Sequence, residues 1–210
     1  MRILIIGAGG QGQVVADAIR FAESENSGIS LLGYLDDNPE LQDAVFLGRP
    51  VLGPVDSWKK YSDSGIILCI GSNQKRSLLY EKILQQGATF ASIIHPRALI
   101  AHDAVIGAGS YIGAFVIIAA GTVVGCNTII HGNSVIGHHN VIGDHVHIAP
   151  GVNTAGSVKI GTGAMIGIGA NVMPGRQIGN WSVVGSATLV HQNVIDRTTV
   201  VGVPGKPLKC

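Results

Sequence analysis

The sequence predicts two successive folds: a small α/β domain with a parallel sheet, and then a β-solenoid of six-residue repeats. Three observations lead to this prediction. Strand and helix patterns alternate through the first domain, an aliphatic residue recurs at every sixth position from Ile94 to Val190, and charges are sparse among the repeats. The predicted divisions are residues 1–90 for the α/β domain, 91–192 for the solenoid and 193–210 for a C-terminal tail.

The N-terminal domain begins with a short apolar strand and a glycine-rich turn. Residues 2–6 (RILII) form the strand, and Gly7 to Gly12 form the turn. The further predicted elements are a helix at 13–23, strands at 29–35 and 65–70, and a helix at 74–86. Alternating strands and helices indicate a small parallel sheet. A strand, a glycine turn and a helix in this order present backbone N–H groups to a phosphate.

The repeat has one uninterrupted frame. Of the 17 positions that follow one another at six-residue spacing from Ile94 to Val190, 16 are Ile or Val. A small residue stands four places after most of them. This period fits neither a helix nor a meander, and it is typical of a solenoid in which one aliphatic side chain per short strand points inward. A sandwich of short strands would not keep one frame over this length.

Composition narrows the possible partners. The chain has 14 Lys and Arg against 13 Asp and Glu, a net charge of +1, which argues against binding nucleic acid. Residues 94–190 contain five charges, and their low charge density fits a surface covered by other subunits. Their glycines and histidines and their non-helical period argue against a membrane span. Three scattered cysteines (Cys69, Cys126 and Cys210) and the lack of a signal-peptide pattern predict a cytoplasmic protein.

Five segments resemble the sialic acid O-acetyltransferase and nucleotide-amino-sugar N-acetyltransferase family of NeuD and PglD type. They are GAGGQGQVV at 7–15, LDD at 35–37, IGSNQKR at 70–76, SVIGHHNVIGDHVHIAPG at 134–151 and VGVPGKP at 201–207. The resemblance implies a left-handed parallel β-helix of five to six coils, with about three hexapeptides in each coil. It also implies a homotrimer with its active sites between neighbouring subunits, and acetyl-CoA-dependent N-acetylation of a nucleotide-linked amino sugar.

The resemblance also implies site residues. The catalytic histidine is His138, which precedes VIGD, and His139 stands beside it. The residues expected at acetyl-CoA are His147, Gly156, Ile168, Gly185 and Ser186. The residues expected at the nucleotide sugar are Gly9, Gly10, Gln11, Asp36, Asp37, Asn73 and Arg76. No metal is expected.

Two positions depart from the family pattern. The family usually has Asp or Glu directly after the catalytic histidine, where this chain has His139, and it commonly has His where this chain has Gln11. A neutral or cationic neighbour does not raise the basicity of an imidazole as a carboxylate does. Asp144, one repeat later at the frame position of His138, is a candidate substitute.

The expected chemistry is direct transfer. An imidazole with an ordinary pKa near 6.5 is a suitable base for a sugar amine that attacks acetyl-CoA without an acyl-enzyme. Three other functions remain open at this point: O-acetylation of a sialic acid-type sugar, a γ-type carbonic anhydrase with zinc bound by histidines between 131 and 147, and a non-catalytic nucleotide-sugar sensor.

Overall fold

A three-stranded parallel sheet forms the centre of the N-terminal unit. In the computed structural model, which describes residues 1–208, β1 (Arg2–Ile6) lies between β2 (Ser30–Leu35) and β5 (Gly65–Leu68). Both pairings are parallel, as the alternating pattern predicts. Residues 3–6 are fully buried, which explains why the central strand is apolar on both faces rather than alternating.

Two helices follow the first and third of these strands. Helix α1 (Gly10–Ser24) buries Val15, Ile19 and Ala22, which recur at helical spacing. Helix α2 (Asn73–Leu84) begins after Ser72, whose hydroxyl accepts the N–H of Lys75 at 3.3 Å. The remaining elements are short 3-10 helices at Pro39–Leu41 and Val55–Tyr61, a hairpin of β3 (Val45–Phe46) and β4 (Arg49–Pro50), and β6 (Ile93–Ile94).

The repeats form three flat faces. Each two-residue strand pairs in parallel with the strand 18 residues further on, as in Ile117 with Val135, so three hexapeptides make one coil. Face 1 contains β7 (Leu99–Ile100), β10 (Ile117–Ile118), β13 (Val135–Ile136), β16 (Asn153–Thr154), β19 (Asn171–Val172) and β22 (Leu189–Val190). Face 2 contains β8 (Val105–Ile106), β11 (Val123–Val124), β14 (Val141–Ile142), β17 (Lys159–Ile160) and β20 (Gln177–Ile178). Face 3 contains β9 (Tyr111–Ile112), β12 (Ile129–Ile130), β15 (His147–Ile148), β18 (Met165–Ile166) and β21 (Val183–Val184).

The solenoid core consists of the predicted aliphatic column together with hydrogen-bonded polar side chains. The aliphatic residues from Ile112 to Val190 stack in one buried cluster. Among the small inward residues, Thr128 donates to Gly143 O at 2.9 Å and accepts from Val146 N at 3.2 Å. Asn140 likewise donates to Ala155 O and accepts from Val158 N. These bonds satisfy the polar groups that the core buries.

Each corner turns through one residue with left-handed backbone. This residue stands three places after the inward aliphatic residue, and its φ lies between 52° and 73° at every such position from 109 to 187. The non-glycine residues there are Phe115, Asn127, Asn133, His139, His145, Ser157, Trp181 and Ala187. His139 is therefore a corner residue, and its backbone conformation is that of the repeat.

The predicted fold class is confirmed: a small parallel-sheet domain precedes a β-solenoid of about six turns, consistent with a left-handed β-helix. The two compact units are Met1–Pro96 and the residues from Arg97 onward. In the predicted tail, β23 (Thr199–Val201) pairs with β21, and β24 (Lys206–Pro207) pairs with β23, so this segment extends face 3. Cys210 lies outside the described residues. Within residues 1–208, no helix has the length and apolarity needed to cross a membrane.

Candidate functional site

Two neighbouring histidines occupy the corner between face 1 and face 2. The Nδ1 atoms of His138 and His139 are 3.0 Å apart, and the rings meet edge to face at 82°. Both side chains are exposed, because the inward positions of the repeat are taken by Ile136 and Asn140. The corner thus presents imidazole nitrogens, which can accept a proton near neutral pH, outside the core.

Each of these rings lies over a glycine of an adjacent coil. The ring of His138 covers Gly156, where an added Cβ would be less than 3.0 Å from Cε1 and Nε2. The ring of His139 covers Gly121 of the preceding coil, where an added Cβ would be 2.8 Å from Cδ2. Gly156 was predicted as an acetyl-CoA contact, and its contact with His138 was not foreseen. The sequence does contain a sign of this contact, because the two residues are 18 positions apart, which is the length of one coil.

The structure does not place Asp144 beside His138. Asp144 lies at the next corner, between face 2 and face 3, where its Oδ1 accepts the N–H of Cys126 at 2.7 Å. Asp144 is therefore not a substitute for the missing carboxylate. Within residues 1–208, neither His138 nor His139 has a carboxylate in ion-pair contact.

A second group of aromatic side chains lies on face 3. The ring centroids of His131 and His147 are 5.0 Å apart, and Tyr111 meets His131 edge-on at 6.2 Å. Burial lowers the pKa of His131 below its usual 6.5, because the charged imidazolium is the form that burial disfavours. His147 is half-buried next to it. His147 is thus on the face adjoining the corner between face 3 and face 1.

The other residues predicted at acetyl-CoA are near that same corner. Ile168 and Ser186 stand one above the other, one coil apart, and the Ile168 side chain is 60% exposed. Gly185 precedes Ser186, and an added Cβ there would be 2.8 Å from the side chain of Val201. One protomer therefore holds the predicted residues in two groups: His138, His139 and Gly156 at the face 1–2 corner, and the remainder at face 3 and the face 3–1 corner.

The glycine turn of the N-terminal unit contains two kinds of glycine. Gly7 has a φ of +105°, and an added Cβ would be 2.7 Å from Cys69 O; at Gly12 it would collide with Gly7 O. The fold itself requires both. At Gly9 and Gly10 an added Cβ would meet nothing within 4 Å, and the backbone is not left-handed. Packing inside the chain does not explain these two, and the free space above them is open to a ligand.

The start of α1 offers N–H groups next to these glycines. Gly9 is the N-cap and provides no side-chain cap, and the first turn contains no acidic residue. Such a helix N-terminus attracts anions, because its first N–H groups have no partner within the helix. The Nε2 of Gln11 is shielded from solvent and, in the described part of the chain, has no hydrogen-bond partner.

The predicted acidic pair is engaged by the backbone. Asp36 accepts the N–H of Ala8 at 2.7 Å through one oxygen and that of Asn38 at 2.9 Å through the other. Asp37 accepts the N–H of Val55 at 2.8 Å. Asp36 therefore holds the glycine turn against the end of β2, a contact that strand prediction alone does not reveal.

Asn73 and Arg76 stand in the first turn of α2. Arg76 is fully buried, and its Nη1 donates to Ile70 O at 2.8 Å. Burial lowers the pKa of Arg76 to about 10, partly offset by its interaction with Cys69. In this conformation the guanidinium holds the segment after β5. Nothing in the sequence around Arg76 indicates that its side chain is buried.

No side-chain cluster in residues 1–208 brings together three or more His, Cys, Asp or Glu that could hold a metal ion. In particular, the five histidines between 131 and 147 are distributed over different corners and faces.

Comparison with known proteins agrees with this architecture. The PglD N-terminal domain model matches residues 2–83. PerB from Caulobacter crescentus, solved with CoA and GDP-perosamine, is 30% identical with a TM-score of 0.91, over 100% of this chain and 98% of that one. The acetyltransferase domain of PglB from Neisseria gonorrhoeae, solved with acetyl coenzyme A, is 30% identical with a TM-score of 0.90, over 99% and 98%.

WeeI from Acinetobacter baumannii is 26% identical with a TM-score of 0.87, over 99% of this chain and 100% of that one. No curated protein matches the sequence at a significant level. The likeness to these solved structures extends over both units of the chain.

Proposed function

Since the chain belongs to the PglD family of hexapeptide-repeat nucleotide-amino-sugar acetyltransferases, we propose that it transfers acetyl from acetyl-CoA to the amino group of a nucleotide-linked sugar. One observation carries this proposal: the match to PerB spans the complete chain, and that protein was solved with both CoA and GDP-perosamine. Perosamine is an amino sugar, which favours transfer to nitrogen over transfer to oxygen.

His138 acts as the general base. Its exposed imidazole accepts a proton from the sugar amine while the amine nitrogen attacks the thioester carbon. The new C–N bond replaces the C–S bond, CoA leaves as the thiolate, and the proton held by His138 then neutralises that thiolate. The transfer is direct, without an acyl-enzyme: Cys69 is buried in the N-terminal unit, and Cys126 lies beside Asp144 at the face 2–3 corner, away from His138.

The glycine turn binds the phosphates of the nucleotide sugar. The open space over Gly9 and Gly10 and the uncapped start of α1 support this role, since phosphate oxygens accept N–H groups at such a helix end. The amide of Gln11 provides a further donor. Asp36, Asp37, Asn73 and Arg76 line or support the same turn and the strand ends that follow it.

Acetyl-CoA contacts His147, Gly156, Ile168, Gly185 and Ser186. The exposed aliphatic side chain of Ile168 fits the apolar pantetheine arm, and the backbone near Gly185 and Ser186 fits its amides. His147 stands on face 3, away from the corner that carries His138. The two groups of residues therefore complete one site when they come from different protomers.

The protein is a homotrimer. A trimer brings the face 1–2 corner of one protomer to the face 3–1 corner of the next, which unites the two groups. The strands of the two faces that meet at the His138 corner support this, since they expose five large aliphatic side chains, a pattern that fits a surface covered by a partner. The exposed side chains are Leu99, Val105, Ile117, Val123 and Val141.

The test is thiol release from acetyl-CoA with a panel of GDP-, UDP- and dTDP-linked amino sugars, followed by mass spectrometry of the sugar product. We expect one nucleotide amino sugar to gain a single acetyl group on nitrogen. Replacing His138 with Ala should reduce kcat by about 100-fold or more, because general bases contribute on the order of 10²–10⁴-fold. The trimer should persist in analytical ultracentrifugation.

His102→Ala is the matched control, because His102 stands two coils earlier in the same column and is also exposed. It should retain turnover. Near-wild-type turnover in His138→Ala would reject the assigned base. Binding of both ligands without any thiol release would instead favour a non-catalytic sensor.

A further inference from the structure

The neighbour of the proposed base is a second imidazole. His139 Nδ1 lies 3.0 Å from His138 Nδ1, and in residues 1–208 it is the one hydrogen-bond partner of the His138 side chain. The rings leave the corner in opposite directions along the solenoid, since one covers Gly156 of the next coil and the other covers Gly121 of the preceding coil. Their Nδ1 atoms therefore face each other, while each Nε2 is directed away from the pair.

Counting hydrogens restricts the protonation states of this pair. A neutral imidazole has one N–H and one lone pair, so two Nδ1 atoms at hydrogen-bond distance hold one hydrogen between them. If that hydrogen belongs to His139, His138 is the acceptor and has its own hydrogen on Nε2. His138 then has no free lone pair at Nε2. If the hydrogen belongs to His138, its Nε2 is free to accept a proton.

We propose that His139 is the positioning residue for the base: its Nδ1 accepts the Nδ1–H of His138 and so keeps the lone pair of His138 on Nε2. This inference rests on the proposed function. When His138 takes the proton of the sugar amine, the resulting imidazolium remains bonded through Nδ1–H to a neutral acceptor. No carboxylate is involved in this arrangement, in which an imidazole fills the place of one.

The neutral acceptor has a consequence for pH dependence. A neutral acceptor at position 139 adds no charge beside His138, whereas a carboxylate there would favour the imidazolium form. The other titratable groups in this corner column are His102 and Asp103 in an earlier coil and Arg176 and His191 in later coils. Asp103 accepts the N–H of Gly121 at 3.0 Å. The next coil contributes Gly156 and Ser157, which do not titrate.

Three substitutions separate acceptor chemistry from shape. Residue 139 has a φ of 54°, a conformation that Gly, Asn and Asp all adopt more readily than most residues. His139→Gly removes the acceptor, His139→Asn supplies a neutral one, and His139→Asp supplies an anionic one. Asn133→Gly makes the same backbone change at the preceding corner, where φ is 59°, and is the control for folding.

We expect His139→Gly to lower kcat about tenfold or more, with KM for acetyl-CoA and the thermal unfolding midpoint close to wild type. His139→Asn and His139→Asp should restore turnover. His139→Asp should also move the acid limb of the kcat/KM profile to higher pH by about one unit or more, because a carboxylate favours the imidazolium. Equal kcat and equal pH profiles in all variants would overturn the proposal.

A second readout does not require turnover. In ¹⁵N-histidine-labelled trimer, with His138→Ala for assignment, His138 should show its hydrogen on Nδ1 in wild type and lose that preference in His139→Gly. A wild-type spectrum with the hydrogen on Nε2 of His138 would refute the proposal. If the Nδ1–H is present but no amino sugar is acetylated, the pairing stands and the proposed function fails.

Discussion

A methyl group on Gly156 is expected to displace His138 without disturbing the coil. An alanine Cβ at this position would be less than 3.0 Å from Cε1 and Nε2 and 3.1 Å from Cδ2, so it would meet the ring across its reactive edge. Carbon atoms in contact prefer about 3.5–4.0 Å, so the ring must move by about 1 Å. The backbone of residue 156 is not left-handed, and alanine adopts it without strain.

A shift of this size is large for catalysis. Misplacing a reacting group by about 1 Å costs on the order of 100-fold in rate, so Gly156→Ala should lower kcat by about that factor. The assay is steady-state thiol release, with the unfolding temperature measured in parallel. Loss of rate should occur with little loss of stability, since the exposed ring can swing towards solvent.

Two controls make the result interpretable. Gly151→Ala adds a methyl group that meets nothing within 4 Å, at a left-handed corner position (φ +70°) that Ala187 occupies two coils later, so it measures backbone strain without a ring contact. Gly163→Ala brings a methyl group equally close to the ring of Trp181 at a different corner, where the left-handed backbone (φ +70°) adds strain to the collision. Wild-type kcat in Gly156→Ala, or an equal fall in kcat in Gly163→Ala, would show that the ring contact does not position the base.

Two further predictions concern the turn and face 3. Gly10→Ala should raise KM for the nucleotide sugar about tenfold, while kcat and KM for acetyl-CoA stay constant. Gly12→Ala should instead lower the yield of folded protein, because its Cβ collides with Gly7 O. A wild-type KM for the nucleotide sugar in Gly10→Ala would contradict a phosphate site at this turn. Because burial lowers the pKa of His131 below 6.5, the unfolded chain binds more protons just below that pH, so the free energy of unfolding should decrease as pH falls below about 6.5. His131→Phe should reduce the pH dependence of the unfolding temperature in this range. If the pH dependence is unchanged in the variant, a group other than His131 is responsible for it.

The solenoid could be predicted closely from the sequence because each level of its structure repeats. The frame of Ile112, Ile130 and Ile148 gives the strand positions, and the structure buries all three. The same frame predicts that His138 lies outside the core. Three hexapeptides per coil imply that residue 156 follows residue 138 one coil later, so even the ring–glycine contact is present in the spacing.

The N-terminal unit was less predictable because its contacts are not periodic. The strands and helices follow from apolar spacing, but the bond from Ala8 N to Asp36 and the burial of Arg76 depend on how separate segments meet. Asp36 and Arg76 are charged residues of the kind that bind ligands, but in the structure each makes a hydrogen bond to the backbone. Long-range pairing of this kind leaves no local signal in a single sequence.

The corner residues show where a solenoid can vary. The first and fifth positions of each hexapeptide are committed to the core, and the fourth must adopt a left-handed conformation. The third position has neither constraint, so a histidine at 138 costs the fold little. The fourth position tolerates His139 because histidine enters the left-handed region more readily than most residues. Two adjacent positions of one repeat can therefore place two imidazoles side by side, while the glycines one coil away leave room for the rings.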